Sequence, residues 1–173
     1  MEQRTISSQS LYELISIIEQ NVFVFNASIV ENITMFRPFP QSEIDSAIKQ
    51  SGLSALIAQR GPDYFCGENG AGLSGGERQR ISIARSLLRK SRVLLADEIT
   101  AALDAETAKQ VSNAVLSLEG LTRIVVTHKL DSALAQYDCI VVLKAGCIVQ
   151  SGSFDALMAS KDYFYSLYTV SQS

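Results

Sequence analysis

Two stretches decide how this chain is read: Leu73-Ser74-Gly75-Gly76-Glu77, and Val93-Leu94-Leu95-Ala96-Asp97-Glu98. In the first, Ser74 and Glu77 stand three apart, the spacing of a capping box, so a helix starts at Ser74. The opening turn of a helix has amide N–H groups with no partner and carries about half a positive charge. Two glycines let an anion approach that backbone closely, and the Ser74 hydroxyl adds a donor. The second stretch is a continuous apolar run ending in two acids. It reads as a buried parallel strand delivering Asp97 and Glu98 to its C-terminal tip, the edge at which such sheets bind ligands. Asp97 suits a magnesium ion held through water, and Glu98 suits a base that orients an attacking water.

The rest of the chain builds a frame for these two features. A helix is expected from Ser42 through about Gln50, capped by Ser42, and another over Leu53–Gln59, ending before Gly61-Pro62. The helix that opens at Ser74 carries an apolar stripe of Ile81, Ala84, Leu87 and Leu88. Asp104 is expected to cap a helix running to about Leu118. Strand-like runs occur at Leu14–Ile18, Thr122–Thr127, Asp138–Leu143 and Cys147–Gln150. A short helix is expected over Leu130–Gln136, and terminal helices over Ser153–Ala159 and Lys161–Tyr168. Strands alternating with helices after residue 92 imply an α/β fold with a mostly parallel sheet. Residues 28–89 read as a helical lobe inserted near the start of that core.

Composition narrows the function. The chain has 173 residues, 47% hydrophobic and 19% charged, which is ordinary for a folded domain and wrong for disorder. A formal net charge of −3 provides no basic stripe, so nucleic acid is not an expected partner. The three cysteines, Cys66, Cys139 and Cys147, form no Cys-x-x-Cys pair, which argues against zinc or a disulfide framework. No stretch reaches the roughly 18 apolar residues of a membrane span. His128, the single histidine, follows an apolar strand in Val126-Thr127-His128 and is placed to donate to a phosphate oxygen. Gln20 closes Ile17-Ile18-Glu19-Gln20, where a neutral amide can coordinate magnesium and hold a water.

Taken in order, these motifs resemble an ATP-binding-cassette (ABC) ATPase of the exporter type, a partial P-loop NTPase fold. Gln20 matches the Q-loop glutamine, and Gly67-Glu68-Asn69-Gly70 resembles the exporter X-loop. Leu73–Glu77 resembles the family signature, Val93–Asp97 resembles Walker B, and Glu98 matches the catalytic glutamate. Ala101-Ala102-Leu103-Asp104 resembles the D-loop, and His128 matches the switch histidine. The resemblance implies one cassette domain over 1–173, with a helical subdomain at about 28–89 and an α/β core at about 11–20 plus 90–173. It implies ATP and Mg2+ shared between two cassettes packed head to tail. Ser74, Gly75, Gly76 and Glu77 would meet the γ-phosphate of a nucleotide on the partner, and Asp104 would communicate across the dimer. Asp97 and Gln20 would hold the metal, and Glu98, His128 and Gln20 would serve catalysis. The implied partners are a transmembrane exporter domain, touched by Glu68 and its neighbours, and a second cassette, identical or different. The implied location is the cytoplasmic face of a membrane. The chain also departs from the family pattern. No Gly-x-x-x-x-Gly-Lys-Ser/Thr loop occurs in it, Glu19 replaces a usual proline, Ala101 a usual serine, and Glu77 a usual glutamine. The expectation is that the chain alone hydrolyses no ATP and is weakly stable, self-associates, or needs the missing P-loop segment. The competing expectation is a non-catalytic cassette that only presents its signature.

Overall fold

A computed structural model describes Ser7, Ser10 and residues 13–172. Residues 11 and 12, at the start of the expected core, lie outside the described residues. The chain divides into two compact units, Met1–Thr127 and His128–Ser173.

In the first unit, strand β1 (Ile15–Ile18), strand β2 (Val93–Asp97) and strand β3 (Thr122–Val126) form a parallel sheet in the order β1-β2-β3. The register pairs Ile18 with Ala96 and Asp97 with Val126. Between β1 and β2 the chain makes four helices: α1 (Ile29–Thr34), α2 (Gln41–Gln50), α3 (Ser54–Arg60) and α4 (Gly75–Leu88), with a 3-10 turn at Glu68–Gly70. Helix α5 (Ala105–Leu116) crosses from β2 to β3. The expected helices are therefore present, with one correction at a cap. Pro40, not Ser42, holds the N-cap of α2, and no side chain caps it. Proline's fixed φ suits a helix start and its missing N–H costs nothing there, so the break at Pro38–Pro40 sets the boundary.

Two apolar clusters organise this unit. Val24, Ile29, Ile33, Leu53, Leu56, Ile81, Ala84 and Leu88 belong to the helical cluster. Ile18, Ile83, Leu94, Ala96, Val111 and Val115 belong to the cluster on one face of the sheet. Helix α4 serves both, because its 3.6-residue period turns Ile81, Ala84 and Leu88 one way and Ile83 the other. That shared helix is what joins the glycine-rich tip to the sheet.

The second unit is a hairpin with two helices. Strands β4 (Ile140–Lys144) and β5 (Cys147–Gly152) pair antiparallel around Ala145-Gly146, both with positive φ, as a two-residue hairpin turn requires. The segment expected as a helix at 130–136 is a 3-10 helix over Ser132–Gln136, capped by Asp131. Helices α6 (Phe154–Ser160) and α7 (Tyr163–Ser171) follow. Leu134, Val142, Leu157 and Phe164 form the core, where Phe154 meets Phe164 edge-on with ring centres 5.9 Å apart. The three cysteines are free, and Cys66 is buried. Among the described residues no helix is long and apolar enough to cross a membrane.

Candidate functional site

The N-terminus of α4 is built from the turn before it. Arg78 Nη1 donates to the carbonyls of Gly70 (3.3 Å) and Leu73 (3.1 Å), and Arg60 Nη1 to that of Gly72 (2.6 Å). These bonds fix the entry of the chain into the helix. Ser74 is extended, and its capping box is complete: Ser74 N–H donates to Glu77 Oε2 (2.7 Å) and Glu77 N–H donates to Ser74 Oγ (3.3 Å). The Glu77 carboxylate also lies 3.9 Å from Arg60, so its charge is partly offset where an anion would approach. By position, the amides of Gly75 and Gly76 have no acceptor within the helix. The two glycines have a packing reason as well. A Cβ built on Gly76 overlaps the Thr107 methyl, and one on Gly75 comes 3.0 Å from Leu103 Cδ2.

Thr107 is held there by the cap of the next helix. Asp104 accepts from Thr107 N–H at 3.0 Å. The Thr107 amide and its side-chain contact hold the Asp104 carboxyl below its ordinary range. The chemistry of the D-loop-like segment is thus local: Asp104 caps α5, and the capped first turn seats Thr107 against Gly76 of α4.

The second half of the site is the C-terminal edge of the sheet. Strand β2 ends at Asp97, which is exposed, and the next residue, Glu98, has φ of 47°. Left-handed backbone at a residue with a Cβ costs about 1–3 kcal/mol and needs a surrounding structure that enforces it. Two hydrogen bonds do so: Glu98 N–H donates to Val126 O (3.0 Å), and Ala101 N–H donates to Glu98 O (3.0 Å). With Ile18 opposite Ala96, Gln20 and Glu98 each lie two residues beyond the same rung. Gln20 is exposed and shares a cavity of about 560 Å3 with Gly75, Arg78, Gln79, Ile99 and Leu103.

The structure therefore brings Gln20, Gly75 and the loop after Glu98 around one space, with Asp97 at the edge of the same sheet. Ser74, Gly76 and Glu77 form the adjoining helix tip. His128 is exposed and opens the second unit. No group of three or more His, Cys, Asp and Glu side chains gathers among the described residues. The side chains at this edge that could serve a divalent ion are one carboxylate, Asp97, and one amide, Gln20. That set fits Mg2+, which keeps several waters and relies on substrate phosphates for much of its shell.

Two residues of the site escape a motif reading. Gln79, buried on α4, donates through Nε2 to the carbonyls of Glu19 (3.2 Å) and Gln20 (2.9 Å), while its Oε1 is buried with no hydrogen-bond partner. Arg85 donates to Phe23 O and to Asn32. The available signal for Arg85 was a cation set between Ile83-Ala84 and Leu87-Leu88 of the apolar helix; Gln79 offered none.

The ABC transporter family model matches residues 1–101. The chain is 38% identical over 171 residues to the multidrug resistance protein homolog 65 of Drosophila melanogaster, covering 96% of this chain and 13% of that protein. It is 38% identical over 159 residues to the cyclolysin secretion/processing ATP-binding protein CyaB of Bordetella pertussis, covering 90% of this chain and 22% of that one. A solved bacterial Atm1-family ABC exporter with ATP bound superposes with a TM-score of 0.86 at 31% identity, over 97% of this chain and 30% of that chain. The chain thus spans between about an eighth and a third of the length of these relatives. The glycine-rich tip, the acid-bearing strand end and the parallel sheet occur together in a sequence that matches over more than half its length: the chain belongs to the ABC transporter family.

Proposed function

We propose that this chain is the ATP-handling part of an ABC exporter, acting at the cytoplasmic face of a membrane and paired head to tail with a second cassette, identical or different. Residues 1–173 then form part of one cassette, with a helical subdomain at about 28–89 and an α/β core at about 11–20 plus 90–173. The observation that carries this reading is the C-terminal edge of the sheet, where β2 ends at Asp97, Gln20 and Glu98 each lie two residues beyond the Ile18–Ala96 rung, and the Glu98 backbone is forced into the left-handed region.

In this reading the amides of Gly75 and Gly76, with the Ser74 hydroxyl, meet the γ-phosphate of an ATP held by the partner. A charge-bearing oxygen there is favoured by the helix dipole and the bare N–H groups. Asp97 and Gln20 hold Mg2+, which supplies neutralisation of the phosphate charge that builds up in phosphoryl transfer. Glu98 accepts a hydrogen bond from the attacking water and orients it. His128 donates to a terminal phosphate oxygen, and Asp104 links the two cassettes. A transmembrane exporter domain, contacted by Glu68 and its neighbours, turns closure of the pair into transport.

A second reading has the chain only presenting Ser74–Glu77 to the partner's nucleotide. The completeness of the α4 cap within Ser74–Glu77, without Asp97 or Glu98, favours it. Phosphate release separates the two. The chain is mixed with a cassette that carries its own Gly-x-x-x-x-Gly-Lys-Ser/Thr loop, and turnover is expected in the mixture but not from the chain alone. Glu98→Gln should lower that turnover by about 100-fold or more, the scale of a lost catalytic base. Turnover indifferent to Glu98→Gln but abolished by Ser74→Arg establishes the second reading instead.

A further inference from the structure

Residues 19–28 form no helix or strand, yet side chains of two helices hold their backbone at Glu19, Gln20, Phe23, Phe25, Ala27 and Ser28. Gln79 of α4 takes the carbonyls of Glu19 and Gln20. Farther along the same helix Arg85 sends Nη1 to Phe23 O (2.7 Å), Nε to Asn32 O (2.8 Å) and Nη2 to Asn32 Oδ1 (3.0 Å). Asn32, fully buried on α1, passes the restraint on. Its Oδ1 accepts from Phe25 N–H (2.8 Å), and its Nδ2 donates to the carbonyls of Phe25 (3.0 Å) and Ser28 (3.0 Å).

The loop so held carries a ridge of rings. Phe23 meets Phe25 edge-on with centres 4.9 Å apart, and Phe25 meets Phe36 at 5.4 Å. Phe23 is 62% exposed, so the ridge is not there to fill a core. A planar guanidinium with three acceptors in fixed directions leaves no rotational slack, which an ammonium on a flexible stem does not reproduce. The helix to which Arg85 belongs begins at the Ser74 tip.

We propose that Arg85 is a positioning residue that locks the Phe23–Phe25–Phe36 ridge to α4, so that a ligand engaging the Ser74–Glu77 tip moves the ridge with the helix. The inference rests on the reading that this tip meets a nucleotide phosphate. It adds the residue through which occupancy of the tip reaches an exposed aromatic surface that begins at Phe23, which lines the same cavity as Gly75.

The chain contains no tryptophan, so Phe23→Trp installs a single fluorescent reporter on the ridge. The reporter chain is mixed with a complementary cassette whose tryptophans have been replaced by phenylalanine, and Mg·ATP is added. Emission is expected to shift on nucleotide-dependent association, which sedimentation reads separately. Arg85→Met should abolish the emission shift while changing the association constant by less than about threefold, well under one factor of ten in affinity. Arg85→Lys, which keeps the charge and loses the fork, should give a reduced shift. An undiminished shift in Arg85→Met overturns the inference and leaves the nucleotide reading intact. Absence of nucleotide-dependent association with Arg85 in place overturns both. Should Arg85→Met fail to fold by circular dichroism, Arg85→Lys carries the test, and a full-sized shift in that variant overturns the inference.

Discussion

The helical cluster around Ile29 and Leu53 and the sheet cluster around Ile18 and Leu94 share helix α4, but they are finished to different degrees. On the helical side, an irregular loop is closed over the core and its polar groups are satisfied from within by Asn32 and Arg85. On the sheet side, only one face is covered by the described residues. Ser16, Ile18, Leu94 and Ala96 are buried on that face, while Ile17, Ile124 and Val126 on the other are 56%, 50% and 52% exposed. The register puts Ile17, Leu95 and Ile124 on one rung, so the exposed residues form a continuous apolar strip. Parallel sheets are ordinarily covered on both faces. Exposed apolar strips of this kind mark interaction surfaces. The lesson is that a helical lobe can complete itself locally, whereas a parallel sheet needs contributions from distant sequence on both sides.

The contrast can be broken in order of expected effect. The largest should come from Asn32→Leu, which removes the bonds to Phe25 and Ser28 and takes Asn32 Oδ1, one of its three acceptors, from Arg85. Several buried polar groups lose partners at about 1–3 kcal/mol each, so a loss of more than about 3 kcal/mol is expected in urea unfolding. If the two clusters are coupled through α4, both should unfold together; hydrogen exchange confined to residues 19–60 would instead show that the helical lobe opens alone.

Gly76→Ala tests the joint between α4 and α5. The added methyl must displace Thr107, an overpacking cost of about 1–3 kcal/mol. Gly76→Ala combined with Thr107→Ser should recover part of that loss, because the serine lacks the methyl group that the new Cβ meets. No recovery would place the cost in the backbone of the tip.

Ile124→Thr on the exposed strip should change unfolding stability by less than about 0.5 kcal/mol, as surface substitutions do. It should nevertheless lower concentration-dependent self-association in sedimentation. Unchanged association would mean that the strip is not the sticky surface.

The smallest effect is electrostatic and sits on the sheet side. The Asp104 carboxyl is held below its ordinary value by the Thr107 amide. A depressed carboxyl contributes stability above its unfolded pKa and loses it as pH falls through the folded value. The unsubstituted chain should therefore lose stability between the ordinary aspartate range and more acidic pH. Asp104→Asn, an equally good cap without a titrating group, should lack that component. Parallel acid curves for the two chains would remove Asp104 from the account.

Much of the site was legible before any coordinates. The capping box at Ser74 and Glu77, the strand ending at Asp97 and the cap at Asp104 are local features, in which a few residues in a row fix both partners. What was not legible required two segments to meet. Gln79 reads as another polar residue on a helix face until β1 places Glu19 and Gln20 beside it, 59 or more residues earlier in the chain. Ser42 is the exception: Pro40, only two residues earlier, sets the helix entry by its fixed φ, so the competing signal there was local.

By itself, the order of residues determined the glycine-bearing helix start, the acid-tipped strand and the α/β class, because capping and period-two or period-3.6 patterning depend on neighbours within one turn. Only the tertiary structure decided that Gly76 must lack a side chain against Thr107, that Glu98 takes a left-handed backbone under β3, and that Arg85 and Asn32 hold the aromatic loop. Each of those is a contact between segments far apart in sequence, and its energy exists only once both have been brought together and dried.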